Sequence, residues 1–167
     1  FSNPNINSNT ILDQAEKGEI KAVYLLGVDD IDLSKLENCF VIYQGSHGEN
    51  GVQFADVILP AAAYTEKEAT FVNIESRPQL TSRAIFPPKD AQEDWQIIAN
   101  LALELKQDLG FKCINSLRQI MVKTNALFAN YNIVAKHSWI ASKDLKLDNK
   151  SNLISAKNDD FYNSNII

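Results

Sequence analysis

The residues with the most potential for chemistry lie in a glycine-rich loop, Gly45–Gly51. Its three glycines, Gly45, Gly48 and Gly51, would let the backbone approach a phosphate or a planar cofactor closely. Their spacing matches neither the GxGxxG pattern nor the Walker pattern, so a plain flexible turn is the simpler interpretation. The loop also contains His47, but a lone loop histidine is more often a solvent-exposed side chain than a proton carrier.

A second group of polar residues lies on a segment whose polar and apolar residues alternate, which predicts an extended conformation. Thr70, Asn73, Glu75 and Arg77 belong to this group. Such a row can hydrogen-bond a planar cofactor or tie one loop to another. The remaining carboxylates of interest are scattered along the chain: Asp56, Glu66, Glu68, Asp90, Glu93 and Asp94. No spacing among them demonstrates the paired acids that hydrolysis requires, so we predict no catalytic residue.

Charge and composition narrow the possible partners. The 167 residues include 21 acidic and 16 basic side chains, and the net charge is -5. Without a basic run we expect no nucleic-acid binding. The longest apolar stretches, such as Ala22–Leu26 and Val57–Ala63, are far shorter than the ~20 residues that cross a bilayer, so we expect no direct membrane insertion. Cys39 and Cys113 form no CxxC motif, which predicts reduced, partly buried thiols and no metal site.

The elements that position these residues follow a repeated strand and crossover order. Apolar runs predict three strands, the first two buried on both faces: Lys21–Leu26, Cys39–Tyr43 and Asp56–Leu59. A helix is predicted at Ile11–Lys17 and a helical turn at Leu33–Glu37. This order is typical of a parallel, Rossmann-like α/β sheet with right-handed connections. The glycine-rich loop then follows the carboxyl end of a strand, where such sheets bind ligands.

Two amphipathic helices are predicted after the sheet. For the first helix, Asp90 is the expected N-cap, Glu93 completes a capping box, and the end lies near Gly110. Its predicted apolar stripe comprises Trp95, Ile98, Leu101, Ala102 and Leu105. The second helix is predicted from Asn115 or Ser116 to about Asn130.

The domain organisation is predicted from these elements and from composition. We expect an α/β domain, a helical extension and a weakly ordered tail rich in Asn, Lys, Asp and Ser: 1–110, 111–142 and 143–167. The sequence begins at Phe1 and its only methionine is Met121, so we expect a piece of a longer polypeptide.

Several of these segments resemble, in order and spacing, the signature of the molybdopterin oxidoreductase superfamily. The ADVVLP, EK and GTFxNxEGRxQ elements of that signature are similar to Ala55–Ala62, Tyr64–Lys67 and Ala69–Glu75, with Arg77 and Gln79 following. The AAYTEK form, together with Pro87-Pro88 and Glu93-Asp94-Trp95, resembles more specifically the large iron-sulfur subunits of respiratory complex I, which are of the 75 kDa type. The resemblance extends over about Ile11 to Leu109.

The resemblance implies a scaffold segment from the C-terminal part of such a subunit. The complex transfers electrons from NADH through iron-sulfur clusters to quinone, and the clusters belong to the amino-terminal part of the subunit. We therefore expect no cofactor in this segment, with the rest of its own chain and other peripheral-arm subunits as partners. The expected location is the cytoplasmic side of a bacterial inner membrane or the mitochondrial matrix side. A structural loop lattice is expected from Asp56, Pro60, Glu66, Asn73, Glu75 and Arg77.

The alternative is the cofactor domain of a true molybdopterin enzyme of the formate dehydrogenase or nitrate reductase type. The pterin guanine dinucleotide would then contact Gly45, Gly48, Gly51, Glu66, Thr70, Asn73, Glu75 and Arg77. Two departures from the family pattern argue against this alternative. Ser76 replaces the glycine of EGR and Ala69 replaces the glycine of GTF. Each loss removes a position that tolerates a positive φ or a close ligand.

Overall fold

The computed structural model describes residues 7–28, 30–48 and 50–134, in which strands and helices alternate. The helices are α1 (Ser8–Glu16), α2 (Gly51–Phe54), α3 (Asp94–Glu104) and α4 (Ile114–Thr124), with 3₁₀ turns at Leu33–Leu36 and Ala126–Ala129. The strands are β1 (Ala22–Leu26), β2 (Phe40–Gly45), β3 (Val57–Pro60), β4 (Thr70–Val72) and β5 (Pro78–Leu80). The predicted tail, 143–167, and the end of the predicted helical extension lie outside the described residues.

The three predicted strands form one parallel sheet in the order β1-β2-β3. Tyr24 lies beside Ile42, which lies beside Val57, so the three strands run in register. The predicted parallel α/β fold is therefore confirmed. None of the helices among residues 7–28, 30–48 and 50–134 is long and apolar enough to cross a membrane.

The hydrophobic core lies on one face of this sheet. It is formed by residues of α1, the first 3₁₀ turn and the two first strands: Leu12, Ala15, Leu25, Leu33, Leu36, Val41 and Tyr43. The opposite face, which we call the open sheet face, presents Tyr24, Leu26, Phe40, Ile42, Val57 and Leu59. Leu26 and Phe40 are both 49% exposed. The prediction that β1 and β2 are buried on both faces is therefore wrong, because α1 and the 3₁₀ turn pack on the core face alone.

The helix α3 begins later than predicted. Glu93, not Asp90, is its N-cap and forms a capping box with Gln96. Non-local contacts hold the residue before the cap outside the helix: Gln92 forms a β-bridge with Ala61, and its N–H donates to the carbonyl of Pro60 at 3.1 Å. The buried residue of α3 is Ile97, which is absent from the predicted stripe.

The helix α3 also ends earlier than Gly110. Lys106 adopts a φ of 58°, and the N–H of Gln107 donates to the carbonyl of Ala102 at 2.8 Å. This pattern closes a helix with a left-handed residue. Leu105, predicted as part of the apolar stripe, is exposed as a result.

The predicted second helix is divided into two pieces. α4 ends at Thr124, and Asn125 is extended with a φ of -149°. The side chain of Asn125 accepts a hydrogen bond from the N–H of Leu127 at 2.9 Å and so starts a separate 3₁₀ turn. Cys113, the N-cap of α4, is exposed, which corrects its prediction as a partly buried thiol.

Only the start of the predicted extended segment is a strand, β4, whereas Asn73 to Arg77 form the turn of a β-hairpin, in which the N–H of Asn73 donates to the carbonyl of Arg77. β4 pairs antiparallel with β5, and Thr70 lies opposite Leu80. β5 begins at Pro78. A proline is accommodated at the start of a strand because no ladder hydrogen bond from its nitrogen is needed there.

Candidate functional site

The glycine-rich loop packs against a side chain of its own domain. A Cβ placed on Gly45 or on Gly51 would lie less than 3.0 Å from the ring of Tyr43. The hydroxyl of Tyr43 donates to the backbone carbonyl of His47. Tyr43 is buried in the core, so these two glycines provide the space that its ring occupies.

The remaining polar and glycine residues of the loop also have local explanations. A Cβ on Gly48 would lie less than 3.0 Å from Val52. His47 is exposed, and its Nδ1 lies 3.0 Å from the hydroxyl of Ser46. The positive φ values of this chain's described glycines occur at Gly18, Gly27 and Gly110. The loop therefore needs its glycines for packing rather than for left-handed backbone.

A cleft of about 500 Å³ lies at the carboxyl end of the parallel sheet, beside this loop. Its lining includes charged and polar residues of both signs: Ser46, His47, Glu66, Lys89 and Asp90. The structure thus brings Gly45 and Glu66, two of the residues predicted for the alternative cofactor site, to one cleft.

Three residues of the predicted loop lattice lie in separate local contacts. Asp56 accepts a hydrogen bond from the N–H of Val41 at 2.7 Å and so joins the starts of β2 and β3. The carboxylate of Glu66 accepts from the N–H of Ala63 at 2.9 Å within one turn. Pro60 contributes its carbonyl, which holds the segment before α3.

The other three lattice residues meet in the turn of the β4–β5 hairpin. The side chain of Asn73 accepts from the N–H of Glu75 at 3.1 Å and from the N–H of Arg77 at 2.9 Å. Arg77 lies 3.7 Å from the carboxylate of Glu75. Ser76 completes the turn with a φ of 60°, so a serine adopts here a left-handed conformation that usually favours glycine. The hydroxyl of Thr70 is buried and has no hydrogen-bond partner among the described residues.

The structure also contains a polar network that the sequence did not predict. Gln44, with 0% exposure, donates from its amide nitrogen to Asp94 at 2.9 Å and accepts a hydrogen bond from the hydroxyl of Tyr24. The other carboxylate oxygen of Asp94 lies 2.5 Å from the ammonium of Lys67. Burial, reinforced by the charge of Asp94, raises the pKa of Tyr24 above its usual value. The network fixes the first turn of α3 on the carboxyl end of β2, and the carboxylate is also favoured there by the helix dipole.

A second set of contacts extends this network. Glu93 accepts hydrogen bonds from the indole N–H of Trp95 at 2.6 Å and from the N–H of Glu68 at 3.3 Å. Arg83 lies 3.9 Å from Glu93, and Arg118 of α4 donates to Glu68 at 2.6 Å. The two charged motifs, Glu66–Glu68 and Glu93–Trp95, are therefore in direct contact. Both motifs were identified in the sequence, because both belong to the resemblance. Their contact with each other could not be predicted, because it joins residues that are far apart in the chain.

Two further observations concern metal ligation and the thiol of Cys113. Across the described ranges, no group of three or more His, Cys, Asp or Glu residues is placed to hold a metal ion. Hydrogen bonding by Ser116 lowers the pKa of the Cys113 thiol, whose sulfur lies 3.4 Å from the Ser116 hydroxyl. That contact belongs to the N-cap of α4.

The class of the protein follows from a comparison with a protein-family model. A family model described as molybdopterin oxidoreductase matches residues 2–104. The chain belongs to the molybdopterin oxidoreductase family, as the resemblance predicted. A solved structure with a similar fold is acetylene hydratase from Pelobacter acetylenicus, with a TM-score of 0.52, 21% identity, and coverage of 60% of this chain and 16% of that one. At this identity the likeness concerns the fold alone.

Within this family, the chain is similar to subunits of NADH-quinone and NADH-ubiquinone oxidoreductases. The chain is 43% identical over 121 residues to the G subunit of NADH-quinone oxidoreductase from Rickettsia felis, covering 72% of this chain and 18% of the relative. It is 42% identical over 151 residues to the protein of the same name from Rickettsia conorii, covering 89% and 22%. It is 39% identical over 169 residues to the mitochondrial NADH-ubiquinone oxidoreductase 78 kDa subunit of Candida albicans, covering 95% and 23%. The chain thus spans about a fifth of the length of these relatives.

Proposed function

We propose that this chain is a scaffold segment from the C-terminal part of the large iron-sulfur subunit of NADH-quinone oxidoreductase, respiratory complex I. The complex would transfer electrons from NADH through iron-sulfur clusters to quinone, and this segment would support that transfer without a redox centre of its own. The similarity to the bacterial G subunits and to the mitochondrial 78 kDa subunit over most of the chain carries the proposal.

The packing of the glycine-rich loop supports a segment without a pterin cofactor. The positions at which a pterin would need close backbone approach face the chain's own Tyr43 and Val52. The turn residues Asn73, Glu75 and Arg77 bind one another. These residues do not fit a pterin guanine dinucleotide, so the alternative function is not favoured.

The contacts between the charged motifs support the scaffold role directly. Lys67 and Asp94 form an ion pair, and Asp94 also accepts a hydrogen bond from the buried Gln44. This arrangement differs from an acid–base pair beside a nucleophile. Such a network fixes one element on another and has no bond-making group. We therefore assign Asp94, Lys67 and Gln44 to the stability of the domain and, through it, to assembly of the complex.

The remaining predictions on partners, place and organisation form part of this proposal. The partners would be the remainder of the same polypeptide and other subunits of the peripheral arm. The segment would lie on the cytoplasmic side of a bacterial inner membrane or on the matrix side of the mitochondrial one. The α/β domain would occupy residues 1–110 and a helical extension 111–142.

Purification of the tagged chain from its native cell tests the proposal. We expect co-purification with NADH-dependent reduction of an artificial electron acceptor, with iron present and molybdenum below stoichiometric amounts. Molybdenum at about one atom per chain would overturn the proposal and favour the pterin-binding alternative. Purification without NADH-oxidising activity would also overturn it.

A further inference from the structure

Asn50 and Gly51, in the glycine-rich loop, form the one Asn-Gly pair in the sequence. An asparagine followed by glycine is chemically labile, because glycine has no side chain to hinder the attack of its backbone nitrogen on the asparagine side chain. Asparagine is one of the thermolabile residues that hyperthermophilic proteins contain less often. The pair is therefore a candidate for chemical modification.

Both reacting groups of the pair lie at the start of α2. Asn50 is exposed and is the N-cap of α2, but its side chain makes no capping hydrogen bond to that helix. Gly51 is the first residue of the helix, and the first N–H groups of a helix have no acceptor within it. α2 is only four residues long, and helices this short are marginal on their own. The helix therefore holds neither the side-chain amide of Asn50 nor the backbone nitrogen of Gly51.

We propose that Asn50 is a site of spontaneous deamidation. The backbone nitrogen of Gly51 loses its proton to hydroxide and attacks the side-chain carbonyl carbon of Asn50. The new C–N bond closes a succinimide ring, and the side-chain nitrogen leaves as ammonia with a proton from water. Water then adds to either ring carbonyl and opens the ring. The products are aspartate, with the original main chain, and isoaspartate, in which the main chain runs through the former side chain.

The two products differ in their effect on the fold. Aspartate is as good an N-cap as asparagine, so its formation leaves α2 in place. Isoaspartate adds a carbon atom to the main chain directly before Gly51, where a Cβ would already lie less than 3.0 Å from the ring of Tyr43. Tyr43 is buried in the core, and its hydroxyl donates to the carbonyl of His47 in the same loop. Isoaspartate therefore loosens the glycine-rich loop from the core.

Peptide mapping by mass spectrometry tests the inference on protein purified from its native cell and incubated at neutral to mildly alkaline pH. Asn130 is a matched control position, because it is also exposed but is followed by Tyr131, whose side chain hinders the same attack. We expect aspartate and isoaspartate to form at least about tenfold faster at position 50 than at position 130. The rate should rise with pH, because the attacking nitrogen must lose its proton.

Equal rates at positions 50 and 130 would overturn the inference. Conversion of Asn50 in urea but not in the native protein would also overturn it, because the fold would then block the reaction. Neither result depends on NADH-oxidising activity, so the proposed function can fail while the modification stands.

Thermal unfolding of the isoaspartate form, separated by chromatography, tests the link to Tyr43. We expect a lower unfolding midpoint for this form and an unchanged midpoint for Asn50→Asp, which carries the same charge on the original main chain. Equal midpoints for the two would contradict the loosening of the loop.

Discussion

The glycine-rich loop and the pair of charged motifs lie at the same end of the sheet, yet they make different kinds of contact. The loop has the residues that suggest a ligand, but Gly45 and Gly51 face the ring of Tyr43. The charged motifs look like scattered solvated residues in the sequence, but Lys67 and Asp94 meet across 27 positions and engage a fully buried Gln44.

This difference shows how a residue type can mislead when its partner is unknown. A glycine indicates that something approaches the backbone closely, but it does not say whether that is a cofactor or a tyrosine of the same domain. A carboxylate in the first turn of a helix suggests a favourable contact with the helix dipole, but Asp94 also accepts a hydrogen bond from Gln44 of the sheet. The charged motifs should therefore contribute more to the free energy of unfolding than their charged composition suggests.

The largest effect is expected when the carboxylate of the network is removed. Asp94→Ala should lower the free energy of unfolding by about 3 kcal/mol, because Lys67 and the buried Gln44 both lose their partner. Urea unfolding of the purified protein measures this change. Asp90→Ala is the matched control: Asp90 is exposed and is not the N-cap of α3, so its loss should cost less than about 0.5 kcal/mol. Equal losses for the two variants would contradict the network.

The next effect concerns the glycine-rich loop. Gly51→Ala should destabilise the protein by about 2 kcal/mol, since its methyl group overlaps the buried ring of Tyr43. Thermal unfolding measures the change, and a Tyr43→Leu background provides the control because it removes the outer ring atoms. In that background the same substitution should cost much less. An unchanged cost would mean that the glycine is needed for something other than the ring.

A gain of about 1 kcal/mol is expected at the hairpin turn. Ser76 holds a φ of 60°, a conformation that costs a residue with a Cβ roughly this amount and a glycine almost nothing. Ser76→Gly should therefore raise the midpoint of denaturant unfolding. Ser82, which has no positive φ, serves as the control, and Ser82→Gly should not stabilise. A loss of stability in Ser76→Gly would show that the serine side chain makes a contact of its own.

The smallest effect is expected at the ion pair between Lys35 and Asp13, whose N–O distance is close to that of the Lys67–Asp94 pair. Lys35 lies 2.6 Å from Asp13, but the Asp13 side chain is exposed and Lys35 is only partly buried, so water and salt screen the attraction. Hydrogen bonding by Lys35 lowers the pKa of Asp13 below its usual value of 3.8. The contribution of the pair should thus be present above that value and be lost as the pH falls through the lowered pKa.

An NMR titration of the Asp13 carboxyl checks this sign. Lys35→Met should return the pKa of Asp13 towards its usual value. It should change stability less than Asp94→Ala does. A pKa that does not move in Lys35→Met would contradict the assigned cause.

Local patterns in the sequence were sufficient for the main elements of the fold. The three strands of the parallel sheet and the helix α1 follow from apolar runs and their breaks, which act over a few residues, whereas the order of the strands and β5 do not. The start of α3 did not follow, because a backbone contact between Gln92 and Pro60 delays it. The last predicted helix is divided at Asn125, because the side chain of Asn125 accepts a hydrogen bond from the N–H of Leu127. The spacing of apolar residues carries no information on this contact.

The candidate site was less predictable than the fold. The resemblance identified the family and the motifs, but the contact between Lys67 and Asp94 joins residues that no local rule pairs. The predicted lattice residues Asn73, Glu75 and Arg77 meet within four positions, whereas Asp56 and Glu66 bind elsewhere. The exposure of the sheet's second face was not visible in the sequence, because an apolar strand looks the same whether or not a helix covers it.

The central claim is that the charged motifs serve assembly rather than turnover, and Lys67→Met in the full-length subunit tests it most directly. The measurement is the amount of assembled complex together with the rate of NADH oxidation per assembled complex, with the exposed Lys123→Met as the control. The account predicts less assembled complex for Lys67→Met, an unchanged rate per complex, and no effect of Lys123→Met. Normal assembly with a lower rate per complex would contradict it.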